Sequence, residues 1–276
     1  MLKEKEIYRV NIESVNNLGN GVAHIDGMAL FVPYAITGDV CDVLIKKQYP
    51  SYAIGSLSAI IEKSPFRTEP ACNHFKECGG CSYLNLDLDR ENTEKENQAA
   101  SALRKFKIEA KTVRTQCPVA EKYRNKVVLF YGIGGFGYNR NSSYDVVPHS
   151  KCQMNPPVFD KIAEYCKDNL NKANLRALFI RMSSLEKPEI MVAPIYKSKT
   201  DIVKFSMGLA SAFPEIRTIL LGVNKEKDFA FEKTDFSTVY GDGHIEDTMC
   251  GLTFSISPRS FYQINRSCAT ALYEKA

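Results

Sequence analysis

At 276 residues and 31.0 kDa the chain is too long for one ordinary core and calls for more than one domain. Its 44% hydrophobic and 25% charged residues, with a net charge of +4, sit near the globular average, which excludes a disordered chain. No apolar run approaches the ~18 residues of a membrane span, and the N-terminal MLKEKEIYRV lacks the apolar stretch and small-residue cleavage site of an export signal, so a cytoplasmic location is expected.

Residues 1–62 predict a small β module. The segments 8–15, 21–33, 39–47 and 53–61 alternate β-branched or aromatic residues with polar ones, and Gly19, Gly21, Gly27 and Gly38 punctuate them. Short strands between glycine turns suit a five-stranded OB-like barrel, a shape often used for nucleic acid, although fold alone does not assign that use. A loop over 63–84 follows, with two prolines, a Gly-Gly pair and three cysteines. Residues 87–106 carry no Gly or Pro and offer Asp87 or Asp89 as a cap, which predicts a helix with Ala99, Leu103 and Phe106 on one face. Residues 101–150 hold nine Lys or Arg against three acids, a local excess that suits either a solvated face or a phosphate backbone.

From residue 123 the pattern alternates again, with a hairpin expected up to Cys152. A helix over 157–172, strands over 177–184 and 189–196, a helix over 200–213 and a strand over 217–224 follow. The order is α+β, without the regular strand, helix, strand succession of a doubly wound sheet. GIGGFG (132–137) satisfies a glycine-rich pattern, but YNRNSSYDVV after it reads as turn and strand, not the helix a phosphate loop must open, so a glycine hairpin is the better reading.

The strongest chemical signal is Cys72, Cys78 and Cys81. Two residues between the last pair let a tight turn aim both thiolates at one centre, and Gly79-Gly80 supplies the backbone freedom. Cys152, at the end of a hairpin, is the expected fourth ligand, with His74 as the zinc-site alternative. Four thiolates suit zinc or an iron-sulfur cluster, and their number does not decide between them. Cys41, Cys117, Cys166 and Cys250 read as packing residues. Near the C-terminus, 251–276 predicts a strand, a proline turn and a helix capped by Asn265 or Ser267, with Phe261 and Tyr262 as core aromatics.

Taken together, these residues resemble the RNA (uracil-5-)-methyltransferase family. The match is carried by GNGVAHIDG and ALFVPYAITGDV in the barrel, by Cys72, Cys78, Cys81 and Cys152, by YRNKV (123–127) with GFGYNRNSSYDVV, and by SPRSFYQIN (257–265). The resemblance implies an α+β multidomain chain: a TRAM-like barrel at 1–62, a central α+β domain at 63–256 holding a 4Fe-4S cluster on the four cysteines in preference to zinc, and the start of a Rossmann-like methyltransferase domain at 257–276. It implies that Gln263 and Phe261 contact S-adenosylmethionine, and that Arg124, Lys126 and Arg140 contact RNA, ribosomal or transfer. The cluster would tie residues 72–81 to the Cys152 hairpin.

In that family a cysteine thiolate adds to uracil C6, C5 accepts the methyl group, and a base then removes the C5 proton. The nucleophile, the base and the glycine-rich cofactor loop have no counterparts here, so no catalytic residue is assigned and these 276 residues alone are expected to be inactive. The apolar side of 90–116 is expected to pack with the catalytic domain or with a second copy. A non-catalytic RNA-binding module stapled by zinc or a cluster is the alternative reading, and an electron carrier a third.

Overall fold

The computed structural model describes residues 2–110 and 119–276. The chain divides into two compact units, Met1–Arg114 and Thr115–Ala276. Residues 257–276 fall within the second unit.

The first unit opens with β1 (Ile7–Asn11), β2 (Ser14–Val15), β3 (Asn20–Ile25), β4 (Met28–Pro33), β5 (Val40–Gln48) and β6 (Tyr52–Glu62). They form one six-stranded sheet in the order β1-β5-β6-β4-β3-β2. All pairs are antiparallel except β4 with β6, which run parallel. The alternation in β5, where Cys41, Val43 and Ile45 are buried, points one face of the sheet inward with Val10, Ile12, Leu30 and Val32. The stretch 21–33, expected as one strand, is two. Asp26 (φ 50°) and Gly27 (φ 78°) both adopt left-handed backbone, the two-residue turn that an Asp-Gly pair favours, and this folds β3 back on β4.

Residues 63–86 form no strand or helix of their own, yet are bound closely to this sheet, which has six strands where a five-stranded barrel was expected. Arg67 forms an ion pair with the buried Asp39 and donates to the Tyr34 carbonyl oxygen at 3.1 Å. Asn85 Nδ2 donates to the same oxygen at 2.9 Å, Tyr34 Oη donates to the Lys76 carbonyl at 2.8 Å, and Tyr83 Oη to that of Asn16 at 2.6 Å. The loop is therefore seated on β-sheet neighbours by directional bonds.

Helix α1 (Leu88–Lys105) begins as expected, with Asp87 accepting from the amides of Asp89 and Arg90. Its packing differs from expectation. Ala99 is exposed, Phe106 is 77% exposed and Leu103 is only partly buried, so the apolar row is not the docked face. The buried residue is Glu94, which accepts from Thr37 Oγ1 at 2.7 Å and from Arg90 Nε at 2.9 Å, while Gln98 Nε2 donates to the Val15 carbonyl at 2.7 Å. Periodicity identified a helix but not its docked face, because polar contacts hold it. Residues 111–116, like Cys117, lie outside the described residues.

The second unit is built on seven strands: β7 (Lys126–Gly132), β8 (Gly135–Asn139), β9 (Val146–Pro148), β10 (Leu175–Met182), β11 (Ile190–Tyr196), β12 (Ile216–Val223) and β13 (Asp235–Tyr240). Their order is β13-β12-β11-β10-β7-β8-β9, antiparallel except for β11 with β12. GIGGFG is a hairpin: Gly132 pairs with Gly135 across Ile133-Gly134, joining β7 to β8. Helix α2 (Pro157–Asn169) buries Phe159, Ile162, Ala163 and Cys166, the i, i+3, i+4, i+7 stripe, and with α3 (Val203–Ala212) covers one sheet face.

The other face packs Ala177, Phe179, Met191 and Leu220 against the hairpin β14 (Ile245–Met249) and β15 (Leu252–Ile256) and against α4 (Arg266–Tyr273). Asn265 caps α4 by accepting from the Cys268 amide at 3.1 Å, as its sequence suggests. Strands β13 and β14 were not foreseen: FSTVYGDGHIEDT alternates too irregularly. Cys250, expected in a strand among apolar neighbours, is exposed at the β14–β15 turn with φ 51°. Cys41 and Cys166 are buried, as packing residues should be. Among the described residues no helix is long and apolar enough to cross a membrane.

Candidate functional site

The second unit contains a cavity of about 610 Å³ whose lining includes Arg124, Lys126, Tyr138, Phe261, Tyr262 and Gln263. Two segments expected to carry function, YRNKV and SPRSFYQIN, thus meet at one place. Their meeting has a backbone cause. Arg124 forms an isolated antiparallel bridge with Asn265, the Asn125 amide donates to the Ile264 carbonyl at 3.2 Å, and Asn125 Nδ2 donates to the Gln263 carbonyl at 2.8 Å. Over 261–265 burial changes from one residue to the next. Tyr262 turns into the core, while Phe261, expected there too, is 85% exposed at the cavity rim. Gln263 Nε2 donates to Tyr273 Oη at 3.1 Å, which orients its amide.

The cationic side of the cavity is organised by aromatic rings. The Arg124 guanidinium lies 5.2 Å from the centroid of the Tyr138 ring, and Lys126 Nζ lies 5.7 Å from that of Phe231. Tyr138 Oη donates to Asn155 Oδ1 at 3.1 Å. Burial pushes the Tyr138 phenol up to about 12 against the pull of Arg124, and burial, with Asp247 adding to it, pushes Tyr262 up to about 12. Burial, then the neighbouring Arg181, lowers Lys126.

An absorbance titration should therefore show Tyr138 and Tyr262, together with the buried Tyr196, ionising about two pH units above the ordinary phenol value, and Tyr138→Phe should remove one of these late groups. Because the folded values of Tyr138 and Tyr262 are raised, each phenol's contribution to stability is complete below pH ~10 and is lost as the pH climbs through 12. Ionisation of all tyrosines in one step near pH 10 would refute this burial.

Arg140 is not part of the cavity lining. It follows β8, where its amide donates to the Asp145 carbonyl at 2.7 Å. The cavity also depends on Tyr138, Asn125 and Arg181, for which the sequence suggests no role. Arg181 alone left a trace, as the single charge inside the apolar run ALFIRM of β10.

The cysteines divide between the two units. Cys72, Cys78 and Cys81 share the loop seated on the first unit's sheet, all partly buried thiols, and the Gly80 amide donates to Cys78 Sγ at 3.4 Å. Cys152 belongs to the second unit, in the segment that runs beside 122–124 through Lys122 N to Gln153 O (2.8 Å) and Arg124 N to Met154 O (3.1 Å). Burial raises its thiol, opposed by the Met154 and Asn155 backbone and by Arg124. Among the described residues, no group of three or more His, Cys, Asp or Glu side chains is arranged to hold a metal ion. In kind, the donors fit a thiolate-held group, since amides directed at sulfur stabilise the thiolate that such a group needs.

Comparison with known proteins agrees with this anatomy. Residues 2–58 match the TRAM domain family. The whole chain aligns at 28% identity with a protein of Halalkalibacterium halodurans named as an uncharacterized RNA methyltransferase, covering 64% of that protein. A Bacteroides thetaiotaomicron protein of the same description is 29% identical over 94% of the chain and 65% of its own length. The chain thus spans less than two thirds of the length of these relatives. Among solved structures, the Pyrococcus abyssi tRNA (uracil-54, C5)-methyltransferase in complex with S-adenosyl-L-homocysteine superposes with a TM-score of 0.72. That match covers 97% of this chain and 64% of the other, and its 20% identity speaks for the fold alone. The chain therefore carries a TRAM domain and is similar along its whole length to proteins named RNA methyltransferases.

Proposed function

We propose that this chain is the RNA-holding part of an S-adenosylmethionine-dependent RNA uridine C5 methyltransferase. The observation that carries the reading is the shared cavity, whose lining brings Phe261 and Gln263 together with Arg124 and Lys126 and holds no Asp or Glu among the described residues. The named relatives and the TRAM match point the same way.

In this reading the sheet module and the basic wall at Arg124 and Lys126 grip RNA through its phosphates, while exposed Phe261 offers a flat apolar surface to a base or a cofactor ring. Gln263, held by Tyr273 and by its own backbone, presents one polar group to the cofactor. S-adenosylmethionine supplies the methyl group when bound. Cys72, Cys78, Cys81 and Cys152 would hold a 4Fe-4S cluster in preference to zinc, and the RNA would be ribosomal or transfer.

In this reading the test uses a complete enzyme that contains these residues. Uridine C5 methylation of ribosomal or transfer RNA should be detected by mass spectrometry of digested nucleosides, and Gln263→Ala should raise KM for S-adenosylmethionine about tenfold, the loss of one hydrogen bond to a ligand. Methylation of neither RNA would end the assignment. Anaerobic reconstitution with iron and sulfide should give visible absorption that is lost with Cys152→Ser. A colourless protein retaining zinc would replace the cluster with a zinc staple.

A further inference from the structure

Lys126 in the cavity wall is backed by a second cation, Arg181, which is buried outside the lining and which the fold does not explain. Lys126 on β7 and Arg181 on β10 are cross-strand partners and face the side of the sheet covered by β14, β15 and α4. Arg181 is 2% exposed. Its Nη1 donates to the carbonyl oxygens of Ser257 and Ser260, each at 2.9 Å, which fixes the turn leading to Phe261. Its Nε and Nη2 are buried with no acceptor among the described residues. Among the described residues neither cation forms an ion pair: burial and the other cation account for the lowering of Lys126, and burial alone brings Arg181 down to about 10.

Two adjacent buried or half-buried cations without a counter-charge are costly. The structural benefit, two hydrogen bonds to a turn, would be available from a neutral amide. An anion at Lys126 offsets the cost directly, and Lys126 opens on the cavity.

We propose that Lys126, backed by the charge of Arg181, is a seat for a phosphodiester oxyanion of an RNA strand lying in this cavity. The assignment rests on the RNA reading above and sharpens it to one subsite. A phosphodiester fits better than an amino-acid headgroup. The latter carries an ammonium as well as a carboxylate, and no Asp or Glu lines the cavity to receive it among the described residues.

Fluorescence anisotropy with a short uridine-rich oligoribonucleotide tests this on the 276-residue chain. Lys126→Met should weaken binding about tenfold and lower the slope of log affinity against log salt by about one. Arg181→Gln keeps an NH2 donor for the two carbonyls while removing the charge. It should weaken binding several-fold without lowering the melting temperature. If that variant does not fold, Lys126→Met decides alone.

Equal affinity and equal salt slope for wild type and Lys126→Met would overturn the seat while leaving RNA binding intact. Phosphorus NMR of inorganic phosphate separates the remaining outcomes. Broadening that depends on Lys126, in a protein that binds no oligoribonucleotide, would keep the anion seat and remove the RNA reading. No broadening and no oligoribonucleotide binding would remove both. Displacement of phosphate by S-adenosylhomocysteine would give the seat to the cofactor carboxylate and overturn the phosphodiester assignment.

Discussion

Gly137→Ala should destabilise the second unit by about 3 kcal/mol, at the upper end for an overpacked site. A Cβ at this position would lie 1.9 Å from the Val147 carbonyl oxygen and 2.6 Å from its carbonyl carbon. Both are backbone atoms of β9, which pairs with β8 through Gly137 to Pro148 and Tyr138 to Val147. No rotamer change relieves such a contact, so β9 must move off β8. Tyr138 then loses its seat, and with it the ring that Arg124 lies over. Denaturant unfolding followed by far-ultraviolet circular dichroism gives the loss. Gly251→Ala is the control: φ is +77° there and nothing lies within 4 Å of a Cβ, so only left-handed strain of about 1 kcal/mol is expected. Equal effects at the two positions would show that β8 and β9 are not closely packed.

Asp39→Ala should cost the first unit about 3–5 kcal/mol, the range for removing one partner of a buried ion pair. Asp39 is fully buried. It accepts from the amides of Ile36 at 2.9 Å and Ser64 at 3.0 Å and from Arg67 Nε at 3.1 Å. Alanine leaves the Ile36 and Ser64 amides and Arg67 Nε without their acceptor, Arg67 keeping only the Tyr34 carbonyl, and it loosens the loop bearing Cys72, Cys78 and Cys81 on its sheet. Asp39→Asn retains one acceptor oxygen and should lose less. The chain contains no tryptophan, so tyrosine circular dichroism is the tertiary probe. A loss under about 1 kcal/mol for alanine would show that Asp39 does not anchor the loop.

Much of this architecture is visible in the residues themselves. Alternation gave β1, β5 and β6, apolar runs gave β10 to β12, and the helix caps at Asp87 and Asn265 are where short polar side chains precede helical patterns. The losses have local causes. The Asp26-Gly27 turn was absorbed into one strand because both flanks are apolar and alternate in phase. β13 and β14 carry Thr, Ser, Asp and Glu on half-covered edges, where hydrophobic contrast is weak. Phe261 and Tyr262 looked alike as aromatics, and only the folded path of the segment that Asn125 ties down sets one out and one in. Of the candidate site, the two motif segments were legible one by one. Their convergence was not, since it depends on bonds between residues 138 positions apart, and Arg181 contributes through backbone carbonyls that no side-chain pattern records.

The way α1 is attached has a mechanical corollary. Grease tolerates sliding, but the carboxylate of Glu94 on Thr37 and the carboxamide of Gln98 on the Val15 carbonyl have a single satisfactory docking position, and a shift by one turn forfeits both. The helix is therefore latched rather than embedded. Its amides should exchange with solvent by unlatching, well before the strands of the sheet open, so that α1 behaves as a clasp on the first unit and not as part of its core.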